Sequence, residues 1–162
     1  MGALLVSAQA SIAQPWADPL AGRMLLVHNR ERAMVGVPPM RWDPELARSA
    51  AAYGPALAAA GRLIHSPRAI RPGQRENLAM IQHGLMPPEQ LAQTWIAEKR
   101  LFVRGVYPNV SRTGSWLDVS HYSQMVWRTT DRLGCAFYVT ARWDYLICRY
   151  SPPGNADGKP VY

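Results

Sequence analysis

The chain has 162 residues, which suits one domain built around one core. With 48% hydrophobic and 18% charged residues, six Trp and seven Tyr, it can bury a sizeable interior rich in large rings and is excluded from the disordered class. The formal charge is +7, yet the basic residues are scattered (Arg23, Arg30, Arg32, Arg41, Arg48 and onward), no basic run or nucleic-acid motif appears, and no nucleic-acid partner is expected; the excess reads as a cationic exterior, with an anionic membrane surface as the alternative.

In chain order, MGALLVSAQASIAQ comes first. It holds a short apolar stretch, ALLV, and Ala8-Gln9-Ala10 has the small-x-small form of a signal cleavage site, although no basic segment precedes it. Residues 1–17 are therefore read as a leader or signal-peptide remnant and residues 18–162 as a single domain, with a secreted or periplasmic location expected. No run of about 18 or more apolar residues follows, so no spanning helix is expected.

Asp18-Pro19 is an N-cap followed by proline at the first helical position, and Leu20, Met24, Val27 and Met34 continue at helical spacing until Gly36 and Pro38-Pro39. Asp43-Pro44 repeats the start; Leu46, Ala50, Tyr53 and Leu57 follow, and Gly61 closes that helix. Residues 61–75 read as loop, and RENLAMIQ (75–82) as a short helical candidate. Pro87-Pro88 opens a third helix with Leu91, Trp95 and Phe102 on one stripe. Residues 104–119 are irregular, and SHYSQMVW starts another short helix.

The period then changes. LGCAFYVT and YLICRY are β-type runs joined by ARWD, which predicts a hairpin. A turn centred between Ala141 and Arg142 sets Cys135 directly opposite Cys148, and a turn longer by two residues makes them diagonal neighbours. Either placement suits a disulfide, and two small buried thiols are the alternative. SPPGNADGKPVY is a loop tail. Helices first and strands last argue for an α+β fold.

Glu98 falls inside the apolar stripe of the third helix, where a carboxylate needs a partner; reaching water or capping a backbone amide are the alternatives. Glu76 reads as a first-turn acid. His65 lies in a loop, His28 on a helix face and His83 in an exposed loop, each by itself unremarkable; His121 heads a segment otherwise built for burial. Ser66 and Ser123 neighbour histidines without a G-x-S-x-G elbow, and H-E-x-x-H, P-loop and G-x-G-x-x-G patterns are absent. Two cysteines exclude a four-cysteine zinc site.

Four blocks tie these residues together. SHYSQMVWRTTDRLGCA resembles the first signature of the CAP superfamily (cysteine-rich secretory proteins, venom antigens and plant pathogenesis-related proteins), with Ser120 where Gly is usual, and YLICRYSPPGN resembles the second. HSPRAIRPGQRENLAM resembles the family's H…GENLA segment, with Arg75 for the usual Gly, and TWIAEKRLF its W-x-x-E helix; the order holds from about Met24 to Asn155. The resemblance implies a three-layer α-β-α sandwich with a central, mainly antiparallel sheet. It also implies that His65, Glu76, Glu98 and His121 converge in one cleft, where the two histidines hold a divalent metal, zinc first, with the acids nearby; a charged hydrogen-bond network without metal is the alternative. Gln124 is expected to line the cleft or orient the His121 ring, and Asn77 to satisfy loop backbone.

The function expected from the resemblance is non-enzymatic binding of small hydrophobic or lipid ligands. A zinc-dependent hydrolase or peptidase, with Glu76 or Glu98 as base, and a protein-interaction or surface effector are the alternatives. Region 104–119 carries only Tyr107 and Trp116 where the family's sterol loop is rich in aromatics, so sterol is the less expected ligand. A single disulfide suggests a bacterial member.

Overall fold

The computed structural model describes residues 19–162. Helix α1 (Pro19–Met34) is followed by β1 (Arg41–Trp42), α2 (Pro44–Ala60), β2 (Arg75–Gln82), α3 (Pro88–Ile96), α4 (Ser120–Met125), β3 (Arg132–Val139) and β4 (Trp143–Ser151). The expected leader and the Asp18 cap lie outside the described residues.

Local chemistry explains the clearest elements. Asp43 Oδ1 accepts from the amides of Glu45 and Leu46 at the start of α2, and Gly61 closes it in the left-handed region at φ 62°. The β3–β4 hairpin pairs Val139 with Asp144, so its turn is centred between Ala141 and Arg142; Cys135 and Cys148 are directly opposed and joined as a disulfide.

The sheet runs β1-β3-β4-β2, antiparallel except for the two-residue parallel pairing of β1 with β3. Alternate residues face opposite layers. Leu78, Met80, Ala136, Tyr138, Tyr145 and Ile147 pack with Ala50 and Leu57 of α2. Ala79, Leu133, Cys135, Leu146, Cys148 and Tyr150 pack with Met24 of α1 and Leu91 and Trp95 of α3. The result is the expected α-β-α sandwich. A separate cluster of Phe102, Tyr107, Val110, Val119, Tyr122, Val126 and Trp127 organises the loop-rich end.

Several expectations are corrected. RENLAMIQ is strand β2, paired along its whole length with β4, and not a helix. Both its faces are covered, so its apolar residues run nearly continuously and lose the alternation that marks a half-buried strand. Strands therefore interleave with helices instead of following them. The third helix stops at Ile96 and continues as a 3-10 turn, Ala97–Arg100, so Glu98 sits on that turn, and Phe102 lies beyond it, bridged to Ser111. His28 is fully buried, bonded through Nδ1 to the Met24 carbonyl (2.7 Å) and through Nε2 to the Tyr150 hydroxyl (2.9 Å). Nor do all the arginines form an exterior. Arg32 is buried and donates to the carbonyls of Pro38, Met125, Trp127 and Thr130, tying α1 to the end of α4; burial lowers its pKa to about 10.

Gly134 is where α2 crosses the sheet. A Cβ there would overlap the Ala47 amide and come within 2.6 Å of the Asp43 carbonyl, both backbone and unable to yield. Gly134→Ala is expected to cost about 3 kcal/mol in urea unfolding by overpacking. Burial holds the His28 imidazole down to about 4, so it stays neutral in the folded protein while the unfolded chain protonates near 6.5. A depressed pKa means that this stability is present above about 6.5 and lost as pH falls through about 4. The expected loss is roughly 3 kcal/mol over that window, and the slope disappears in His28→Gln.

Candidate functional site

Two consecutive residues of the edge strand β2 organise the site, because Glu76 faces α2 and Asn77 faces the opposite layer. Glu76 Oε1 accepts from His65 Nδ1 and the Ser66 amide, both at 2.9 Å; Oε2 accepts from the Ser66 hydroxyl at 2.9 Å and faces the Arg149 guanidinium at 3.0 Å. The Glu76 side chain is 0% exposed and that of Arg149 1%, whereas His65 reaches solvent at 56%. Burial alone would raise the Glu76 pKa; the His65 hydrogen bond, the Arg149 charge and the Ser66 donors outweigh it and hold it below the ordinary carboxylate value. An ionised Glu76 only accepts, so Nδ1 of His65 carries the proton and Nε2 is left as a lone-pair donor.

On the other face Asn77 Nδ2 donates to the His121 carbonyl and to the Tyr150 hydroxyl, each at 3.1 Å, and Tyr150 continues the chain to His28. Glu98 Oε1 lies 2.6 Å from His121 Nδ1, while Oε2 accepts the amides of His121 and Tyr122 at 3.0 Å. It thus caps the start of α4, which has no other side-chain cap, and orients the imidazole as well. The capping alternative and the partner requirement are both met by one carboxylate. The His121 ring stacks on Trp95 at 5.8 Å and 13°.

His65, Glu76, Asn77, His121 and Gln124 line one cleft of about 670 Å³. Glu98 is not on its wall; it stands behind His121. Gln124 lines the cleft but does not orient the imidazole, since its amide bonds the Gly154 N–H (3.0 Å) and Thr130 Oγ1 (3.1 Å). Asn77, expected to satisfy loop backbone, donates instead to the carbonyl of His121 in α4 and to the Tyr150 hydroxyl. His83 lies elsewhere, on Asp144 at 2.8 Å. Among the described residues no group of three or more His, Cys, Asp or Glu is placed to hold a metal ion.

Sequence reasoning missed several participants. Arg149 and Ser66 bond Glu76, Arg71 ties down its loop, and Tyr107, Pro108, Trp116 and Leu117 line the same cleft as Arg68, Arg71 and Arg75. The three arginines recur at intervals of three and four in HSPRAIRPGQR, the one signal that was readable beforehand.

The sequence matches CAP, the cysteine-rich secretory protein family, over residues 25–150. Pathogenesis-related protein 1C of Nicotiana tabacum is 38% identical over 138 residues, 83% of this chain and 76% of that protein. Pathogenesis-related protein 1 of Arabidopsis thaliana is 37% identical over 135 residues, 82% and 77% respectively. Among solved structures, NaASP2 with Zn2+ superposes with a TM-score of 0.72 at 25% identity, covering 93% of this chain and 88% of that one. BmVAL-1, at 21% identity and a TM-score of 0.73 over 95% and 86%, shares the fold. The chain belongs to the CAP family. These two sequence relatives are plant proteins and lend no support to the bacterial origin suggested by the single disulfide.

Arg149→Met leaves a buried, uncompensated Glu76 and is expected to lose about 3–5 kcal/mol in denaturant unfolding. The double variant with Glu76→Gln should lose less than the two single losses added together.

Proposed function

We propose that this chain is an exported CAP-domain protein that binds small hydrophobic or membrane-derived ligands in its cleft and holds a divalent ion, zinc first, between His65 and His121. One observation carries the reading: a single cleft is lined by apolar and aromatic side chains and by two imidazoles whose Nδ1 atoms are engaged by carboxylates and whose Nε2 atoms meet no hydrogen-bond partner among the described residues. Export is supported by the family's secretory character and by the disulfide, and no helix among the described residues is long and apolar enough to cross a membrane.

The donor set suits zinc. Neutral imidazole nitrogen is a favoured ligand, and a carboxylate on the second ring nitrogen fixes the tautomer and raises ligand basicity. Two protein ligands leave the remaining positions to water or to the bound molecule, for which the ion supplies a Lewis acid. Similarity to NaASP2, solved with Zn2+, supports the assignment. Binding is favoured over hydrolysis by the state of the acids. Glu76 is engaged by His65, Ser66 and Arg149, and Glu98 by His121 and two amides, so neither is spare to take a proton from water.

Calorimetric titration of chelator-treated protein with Zn2+ tests the ion site. His65→Ala and His121→Ala should each abolish the binding isotherm, and Glu98→Gln should weaken it about 10–100-fold. Affinity should fall as pH drops, because protons compete for the imidazoles. Zn2+ binding that survives both histidine variants unchanged would sink the assignment.

A further inference from the structure

The cleft carries a charge that its own residues do not balance. Arg68, Arg71 and Arg75 all line it. Arg71 donates to the Ser66 carbonyl and hydroxyl and to the Gln74 carbonyl; Arg75 donates to the carbonyls of Gly154 and Asn155. These acceptors are neutral, so both guanidiniums are held in place with their charge intact. Two acids share this lining with the three arginines: Glu76, paired with Arg149 behind it and also attracting Arg71, and Asp157, which attracts Arg75. Burial first, and then the charges of Arg68 and Arg71, hold Arg75 below its ordinary pKa against the pull of Tyr107 and Asp157. Arg68 differs from the other two. It is exposed on the 3-10 turn Arg68–Ile70, and no hydrogen bond or ion pair engages its guanidinium among the described residues.

Part of the same lining is apolar and exposed. Trp116 is 41% exposed and Leu117 61%, although both are large hydrophobic residues lining a concavity, and Trp116 rests against the Tyr107 ring at 5.8 Å. An exposed cation and an uncovered aromatic surface in one cleft call for a ligand with two unlike ends. Arginine suits phosphate because its planar fork donates two parallel hydrogen bonds. The concavity, about 670 Å³, has the size of a small-molecule site and not of a flat membrane-contact face.

We propose that the cleft takes a single amphiphile with an anionic, phosphate-type head: Arg68 receives the head, Arg71 and Arg75 supply the surrounding positive field, and Trp116 and Leu117 cover the apolar part. This rests on the ligand-binding reading above and adds the head-group chemistry and the residue that selects it.

Octyl phosphate titrated calorimetrically into the full chain tests the assignment, with octanol and inorganic phosphate as half-ligands. One-site binding is expected, at least about tenfold weaker for either half-ligand. Arg68→Gln, whose side chain holds nothing else in place, should weaken octyl phosphate about 10-fold or more. Trp116→Ala should also weaken it, with its melting temperature checking the fold, and Arg30→Gln, an exposed charge outside the cleft, should change it less than twofold. Octanol binding as tightly as octyl phosphate, with Arg68→Gln silent, overturns the head-group assignment and leaves the hydrophobic-ligand reading standing. No binding by any amphiphile overturns both. Sedimentation with phosphatidylglycerol but not phosphatidylcholine vesicles, equal in wild type and Arg68→Gln and unaccompanied by octyl phosphate binding, assigns the charge to a membrane surface and likewise overturns it.

Discussion

The buried pair of Glu76 and Arg149 is the contact on which the site depends. The two residues are direct partners across β2 and β4, and their charges meet at 3.0 Å with almost no exposure. A pair so placed contributes little net stability, because desolvation offsets much of the attraction, but it strongly penalises arrangements that separate the two charges. A slip of one residue would move Glu76 to the other face of the sheet and strand both charges. On the far side of β4, Arg149 pairs with Gly134, where the start of α2 lies against bare backbone. The row Gly134–Arg149–Glu76 thus fixes register, helix approach and the ionisation of the acid that holds His65.

Strand geometry then does what neither histidine's own segment can. His65 belongs to the loop after α2, and His121 to α4 in the opposite layer. They face one cleft because β2 is an edge strand and its consecutive residues point to opposite layers, Glu76 reaching His65 and Asn77 reaching the His121 backbone. Glu98 supplies the second carboxylate from the 3-10 turn after α3. Carboxylates thus engage Nδ1 of both imidazoles, and their Nε2 atoms meet no hydrogen-bond partner among the described residues.

Much of this was legible before any coordinates. Caps at Asp43 and Gly61 are local chemistry, and the bounds of α2 follow from them. The hairpin and its disulfide follow from two β-type runs of matched length. The four candidate site residues were named through family signatures, since each one alone reads as ordinary. What escaped was long-range. RENLAMIQ looks helical until both its faces are covered, and His28 looks like a surface residue until Tyr150, 122 positions away, meets it. Arg149 and Ser66 carry no motif of their own and gain a role only when Glu76 is placed between them.

The sequence by itself determined the ends of the well-capped helix and the hairpin, because nearest-neighbour chemistry and short spacings decide those. Only the tertiary structure decided which carboxylate meets which imidazole and which arginines are buried. Those outcomes depend on desolvation and on contacts between segments far apart in the chain, and no local period records them.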